Sequence, residues 1–255
     1  MQTIKFLGVM FDVLLDDAAD QIRDGDLVEQ MLLIAFERRY IDLSRIPERY
    51  RAYFDFTVRI WEEIEERSRQ LPRFEDFADL LEFDYRQLLN CMRYALIVNA
   101  DPMRLNMAEH DLYQPHNMHM MINAVIDLMA SPKFDTADVG LLREGIWNAQ
   151  VMGRIGNAVT TWQREVKDRD FTSGVFAKAV SDGALDPKDL KSGDVKEIEA
   201  RLIETGVEEQ LLVEWGRRRD DLRRLSRRIG SVDMARLIDG LEELIALHLG
   251  SRGLK

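Results

Sequence analysis

The sequence predicts an all-α protein, a single-domain helical bundle around a central cavity. Apolar residues recur at three- and four-residue steps almost throughout the chain, the period of a helix with one buried face. Runs of alternating β-branched residues, which would mark half-buried strands, are missing. A chain of 255 residues that is 46% hydrophobic can bury one sizeable core, and its 32% of charged residues never gather into a long polar tract, so disorder is excluded.

In chain order, helices are expected at about 4–22, 26–40, 47–68, 73–98, 102–112, 115–130, 136–168, 173–182, 194–204, 207–228 and 231–249. The stretch Arg23, Asp24, Gly25, Asp26 reads as the first turn, closing on Asp26 as an N-cap. Pro47, Pro72, Pro102, Pro115 and Pro132 stand at or near later helix starts, where a missing N–H costs nothing. Gly183 to Asp194, rich in Gly, Asp and Lys, is the most loop-like part, a surface connection or a mobile flap.

A net charge of −11 sets the chain as a whole against nucleic acid and anionic membranes. No stretch is apolar for long enough to span a bilayer, and the first twenty residues lack the basic start and cleavage site of a signal peptide. A cytoplasmic protein is expected. The only cysteine, Cys91, lies in an apolar run, so it reads as a buried thiol, and no disulfide within the chain is possible.

The first helix carries FDVLLDDAAD. Asp12, Asp16 and Asp20 follow at steps of four, with Asp17 beside them. Like charges so stacked destabilise a helix, the more so near its C-terminal end, where the macrodipole also disfavours anions. A compensating cation resolves the conflict; a solvated acidic helix end is the alternative. Oxygen ligands alone point to a hard ion, Mg2+ or Mn2+. Further on, His116 and His119 are three apart, near His110 and Glu109, but no cysteine or second pair completes a zinc site, so packing or pocket lining is the better reading.

In the long seventh helix, RIGNAVTTWQRE sets Asn157, Thr161 and Glu165 at steps of four. An amide oxygen, a hydroxyl and a carboxylate thus share one face and could chelate one divalent ion, with Arg164 beside them to hold a phosphate oxygen. Gly153 and Gly156 weaken this helix by roughly 1 kcal/mol each relative to Ala, which close packing or room for a ligand would justify. Near the C-terminus, WGRRRDDLRRLSRR reads as a solvated, salt-bridged face ahead of a phosphate-binding one.

Asp16, Asp17 and Asp20 as DDxxD, followed by Asn157, Thr161, Arg164 and Glu165, resemble the paired motifs of bacterial class I terpene synthases, DDxxD and NDxx(S/T)xx(K/R)E. The two motifs start 141 positions apart (157 − 16), a spacing similar to the family's. Ala158 stands where the family usually has Asp, a position that is not a metal ligand there. The resemblance covers about residues 5–170; the family's helices that precede DDxxD are expected to be missing, since the motif begins at residue 16. It implies the class I terpenoid synthase bundle, a prenyl diphosphate substrate (C15 or C20), Mg2+ held by Asp16, Asp17, Asp20, Asn157, Thr161 and Glu165, and diphosphate contacts from Arg164, Arg104 and Arg252. Behind the metal-binding mouth, Trp147 at the edge of the Asn157 face and Phe6, with Val9 and Val13, would line a carbocation pocket, where an aromatic ring face stabilises a passing cation. A homodimer is compatible with this reading. The rivals are a chain-elongating prenyl diphosphate synthase, which needs a second aspartate-rich motif that this sequence lacks, and a non-catalytic helical interaction protein.

Overall fold

The computed structural model describes residues 1–252 and is all-helical, with no strand among them. Its α-helices are α1 (Gln2–Asp17), α2 (Gly25–Leu32), α3 (Arg51–Arg69), α4 (Phe74–Ala100), α5 (Met107–Tyr113), α6 (Met120–Ala130), α7 (Val139–Asp168), α8 (Gly174–Ser181), α9 (Pro187–Ser192), α10 (Val195–Glu204), α11 (Val207–Ser226) and α12 (Met234–Gly250). No helix among the described residues is long and apolar enough to cross a membrane. The chain divides into two compact units, one of Met1–Leu96 with Met121–Lys133, the other of Ile97–Met120 with Phe134 onward.

In the first unit, α1 buries Ile4, Gly8, Phe11, Asp12 and Leu15, one helical face set by the three-four spacing. Phe11 meets Trp61 of α3 at a ring-centroid distance of 5.0 Å, and Trp61 meets Tyr85 of α4 edge-on at 4.8 Å. These three helices share that aromatic cluster, with Leu88, Met92 and Ile64 also fully buried. The Tyr53 hydroxyl donates to the carbonyl of Leu14 at 2.6 Å, and Lys5 pairs with Asp127 of α6 at 2.6 Å.

The second unit is built on α7, whose buried residues fall on most of its circumference. A methyl group on Gly145 would meet Met234 and Leu222 at 3.0 and 3.3 Å, and one on Gly156 would meet Ile245 and His248 at 3.1 Å. The glycines thus admit α11 and α12 close against α7, the packing alternative expected for Gly156. Gly153 lies against Met120 and Met118 at ordinary contact distances of 3.6 and 3.7 Å.

Several boundaries differ from the sequence expectation. The first helix does not run regularly to residue 22: after Asp17 it widens into a π turn, Ala18–Ile22, closed by Arg23 N–H to Ala18 O and ended by Arg23 in the left-handed region. The cap of α2 is Asp24, whose carboxylate accepts from Leu27 N–H at 3.1 Å; Asp26 sits in the first turn instead. After Leu32 the bonds tighten to i+3, ending α2 eight residues before the expected point. Asn106 restarts the chain as the N-cap of α5, and the αL backbone of His119 interrupts the helix expected over 115–130. The Gly183–Asp194 stretch contains α9, capped by Asp186 and tied down by the Arg169 guanidinium, which donates to the carbonyls of Leu190 and Gly193 at 3.0 Å each.

Candidate functional site

The acidic cluster of α1 lies at its C-terminal end. Asp16 is half-buried and Asp17 exposed, whereas Asp12 and Asp20 are buried. Asp20 lies within the π turn, and it is buried where Asp16 is half-buried. Burial and then the charges of Asp17 and Asp16 hold the Tyr53 phenol above its usual range, so those carboxylates stand close to α3. Among the described residues no group of three His, Cys, Asp or Glu converges as a metal cluster would, so Asp16, Asp17 and Asp20 do not converge as a ready-made three-acid cage.

The second motif is more tightly organised. The Thr161 hydroxyl lies 2.9 Å from the carbonyl of Asn157, in the bonding pattern usual for a helical threonine, and 2.6 Å from Oε1 of Glu165. Glu165 is almost wholly buried, and its carboxyl is pushed up to about 7. Burial is the main cause; the nearby Asp170 raises it further, while Arg154, Thr161 and Ser173 pull it down. Oε2 makes no hydrogen bond of good geometry, although the Ser173 hydroxyl is near enough to act on the carboxyl. An amide, a hydroxyl and a carboxylate that gives up its solvation without a full set of donors is a donor set that suits a hard cation.

The surroundings of Glu165 are set by the chain reversal after α7. Arg169 takes the left-handed conformation and ends the helix, and Asp170 accepts from Thr172 N–H and Oγ1 at 3.1 and 2.8 Å. That turn presents the Thr172 carbonyl to Arg154, whose Nη2 donates to it at 3.0 Å inside the protein. Arg154, Asp170 and Ser173 carry no motif in the sequence. The only signal was an arginine on the same helical face as Glu165, eleven residues and three turns earlier.

The other expected site residues are scattered in role. Trp147 is half-buried, with its ring 5.0 Å from that of His116, so the histidine packs on the indole as the packing alternative expects. Phe6 is 66% exposed, with Val9 and Val13 exposed beside it. α1 buries its Phe11 and Leu15 face, and Phe6 lies off that face. Arg164 is exposed and 3.9 Å from Asp168, Arg104 is exposed and 3.7 Å from Asp101, and Arg252 pairs with Glu208 at 2.7 Å. Glu208 also accepts the indole N–H of buried Trp162, so Arg252 is anchored to the core of its own unit.

Comparison with protein-family models, with curated proteins and with solved structures finds no match to this chain.

Proposed function

We propose that the chain is a class I terpene synthase that ionises a prenyl diphosphate and cyclises the resulting carbocation. The observation that carries the reading is the Asn157, Thr161, Glu165 face of α7, where a buried carboxyl held near neutrality adjoins a hydroxyl at 2.6 Å. Asn157, Thr161 and Glu165 would hold one Mg2+ and Asp16 and Asp20, with Asp17, the others. When bound, the ions supply positive charge that makes diphosphate a better leaving group.

Glu165 has to release its proton to serve as a ligand, and with a value near 7 it does so at little cost around neutral pH. Thr161 orients that carboxylate through its hydroxyl. Ionisation breaks the substrate's C–O bond, the electron pair leaving with diphosphate; Trp147, held by His116, offers an indole face to the allylic cation. Arg164, exposed and only loosely paired, is the arginine best able to reach a phosphate oxygen, since Arg252 is engaged with Glu208.

Incubation with C10, C15 and C20 prenyl diphosphates and Mg2+, followed by mass spectrometry of an organic extract and assay of released diphosphate, tests the reading. A hydrocarbon or terpene alcohol formed by the parent chain and lost in Glu165→Gln is expected. Absence of diphosphate release from all three substrates would refute it.

A further inference from the structure

The second unit contains a cavity of about 510 Å³ that borders a different set of α7 residues, Val151, Arg154, Ile155 and Ala158, and is not lined by Asn157, Thr161 or Glu165. Its volume is in the range of small-molecule sites. Two of its lining side chains are buried and polar: Arg154 is 7% exposed and His110 is 5% exposed. Each has an atom without a hydrogen-bond partner, Nε of Arg154 and Nε2 of His110. The His110 ring is fixed by Gly174 at the start of α8, where a methyl group would meet it at 3.0 Å.

Charge balance narrows the ligand. Lys178 is paired with Asp182 at 2.9 Å, and Arg218 and Arg217, both in the lining, share Glu214 at 2.8 and 3.8 Å. Burial holds His110 below its ordinary value, with Asp111 opposing and Arg154 reinforcing that shift; its Nδ1 faces Asp111 Oδ1 at 3.5 Å, so in the neutral ring Nδ1 is the donor and Nε2 an acceptor. Among these lining cations Arg154 is the buried one, and its Nη2 donates to the Thr172 carbonyl rather than to a carboxylate. A dianionic phosphate would bring a second charge beside that one buried guanidinium and would also face Asp111, which lines the same cavity. The lining also includes the apolar residues Met107, Ile155, Ala158 and Leu211.

We propose that this cavity binds a small organic acid, its carboxylate accepting from Arg154 Nε–H and its compact apolar body lying against Ile155, Ala158 and Leu211. Leaving a buried guanidinium N–H unmet is unfavourable, and a carboxylate meets it with a charge-assisted bond. The inference goes beyond the proposed synthase activity and uses none of its metal ligands, so either can fail alone.

Isothermal titration calorimetry of the full chain with 3-phenylpropionate and octanoate, each against its primary amide, and with inorganic phosphate tests it. Saturable one-to-one binding of at least one acid is expected, with its amide at least about tenfold weaker. Arg154→Gln should abolish binding. Because that change touches a buried residue, Val213→Glu at the exposed edge of the cavity is the second variant; it should keep the fold by circular dichroism and weaken the acid by about tenfold or more through charge repulsion. Amide binding as tight as the acid, full competition by phosphate, no binding of either acid, or undiminished binding in Val213→Glu would each overturn the proposal.

Discussion

The Thr161 hydroxyl stands 2.6 Å from Oε1 of Glu165, one helical turn further along the same face of α7. A donor is thereby held against a carboxylate that burial drives towards its neutral form. Thr161→Val removes the donor with little change of volume. The Glu165 carboxyl should then titrate above about 7, followed by carbon-13 NMR of labelled glutamate, and stability at pH 8 should fall by about 1–3 kcal/mol in urea titrations. An unmoved Glu165 titration would show that the contact has no energetic weight.

The sign of the Glu165 contribution to stability is opposite to that of an ordinary ion-paired carboxylate. Its unfolded value is 4.5 and its folded value about 7, so between the two the folded chain keeps a proton that the unfolded chain has released. Its contribution is complete below pH 4.5 and is lost as pH rises to about 7, the loss amounting to about 3 kcal/mol. Glu165→Gln should remove this fall, leaving a flatter stability curve from pH 5 to 8. His110 acts in the other direction: with its value lowered, its contribution is present above the ordinary histidine range and is lost as pH falls through the folded value.

A divalent cation at Glu165 has to displace that proton, which ties metal affinity to pH. Added MgCl2 should therefore raise Tm more at pH 8 than at pH 6, and Asn157→Ala should reduce the gain. Differential scanning fluorimetry against NaCl at matched ionic strength separates binding from screening. An equal gain at both pH values, or one reproduced by NaCl, would remove Glu165 as a ligand.

The helices were legible because each buries a continuous apolar face, as in α1, where Ile4, Gly8, Phe11 and Leu15 repeat at three-four steps. Their interruptions were not. A π turn at Ala18–Ile22 uses residues that suit an α-helix equally well, so nothing in the residue types announced it. Asp24 and Asp26 are equivalent as cap residues on paper, and only the backbone path selects Asp24. The co-facial set of Asn157, Thr161 and Glu165 was readable because it lies within one helix, whereas Arg154, Asp170 and Ser173 meet only through the reversal at Arg169. The apolar surface of α1 is wider than the face that becomes buried, and periodicity alone does not say which edge is covered: Phe6 stays exposed while Phe11 is buried.

Trp61 offers the clearest test of the first unit's core. Its ring contacts Phe11 at 5.0 Å, Tyr85 at 4.8 Å and Phe36 at 5.5 Å, so three chain segments besides α3 depend on it. Trp61→Ala removes those contacts and leaves a cavity, and should cost about 3–5 kcal/mol in urea unfolding. Trp61→Phe should behave differently. The indole N–H is buried without a hydrogen-bond partner, so a phenyl ring loses contact area but also removes an unsatisfied donor. Burying such a donor is unfavourable by about 1–3 kcal/mol, comparable with the packing lost on shrinking the ring, so the net change should stay within about 1 kcal/mol. If Trp61→Phe proved as damaging as Trp61→Ala, the indole would be making a hydrogen bond after all, to an ordered water, and the cluster would be held by polarity as well as by ring packing.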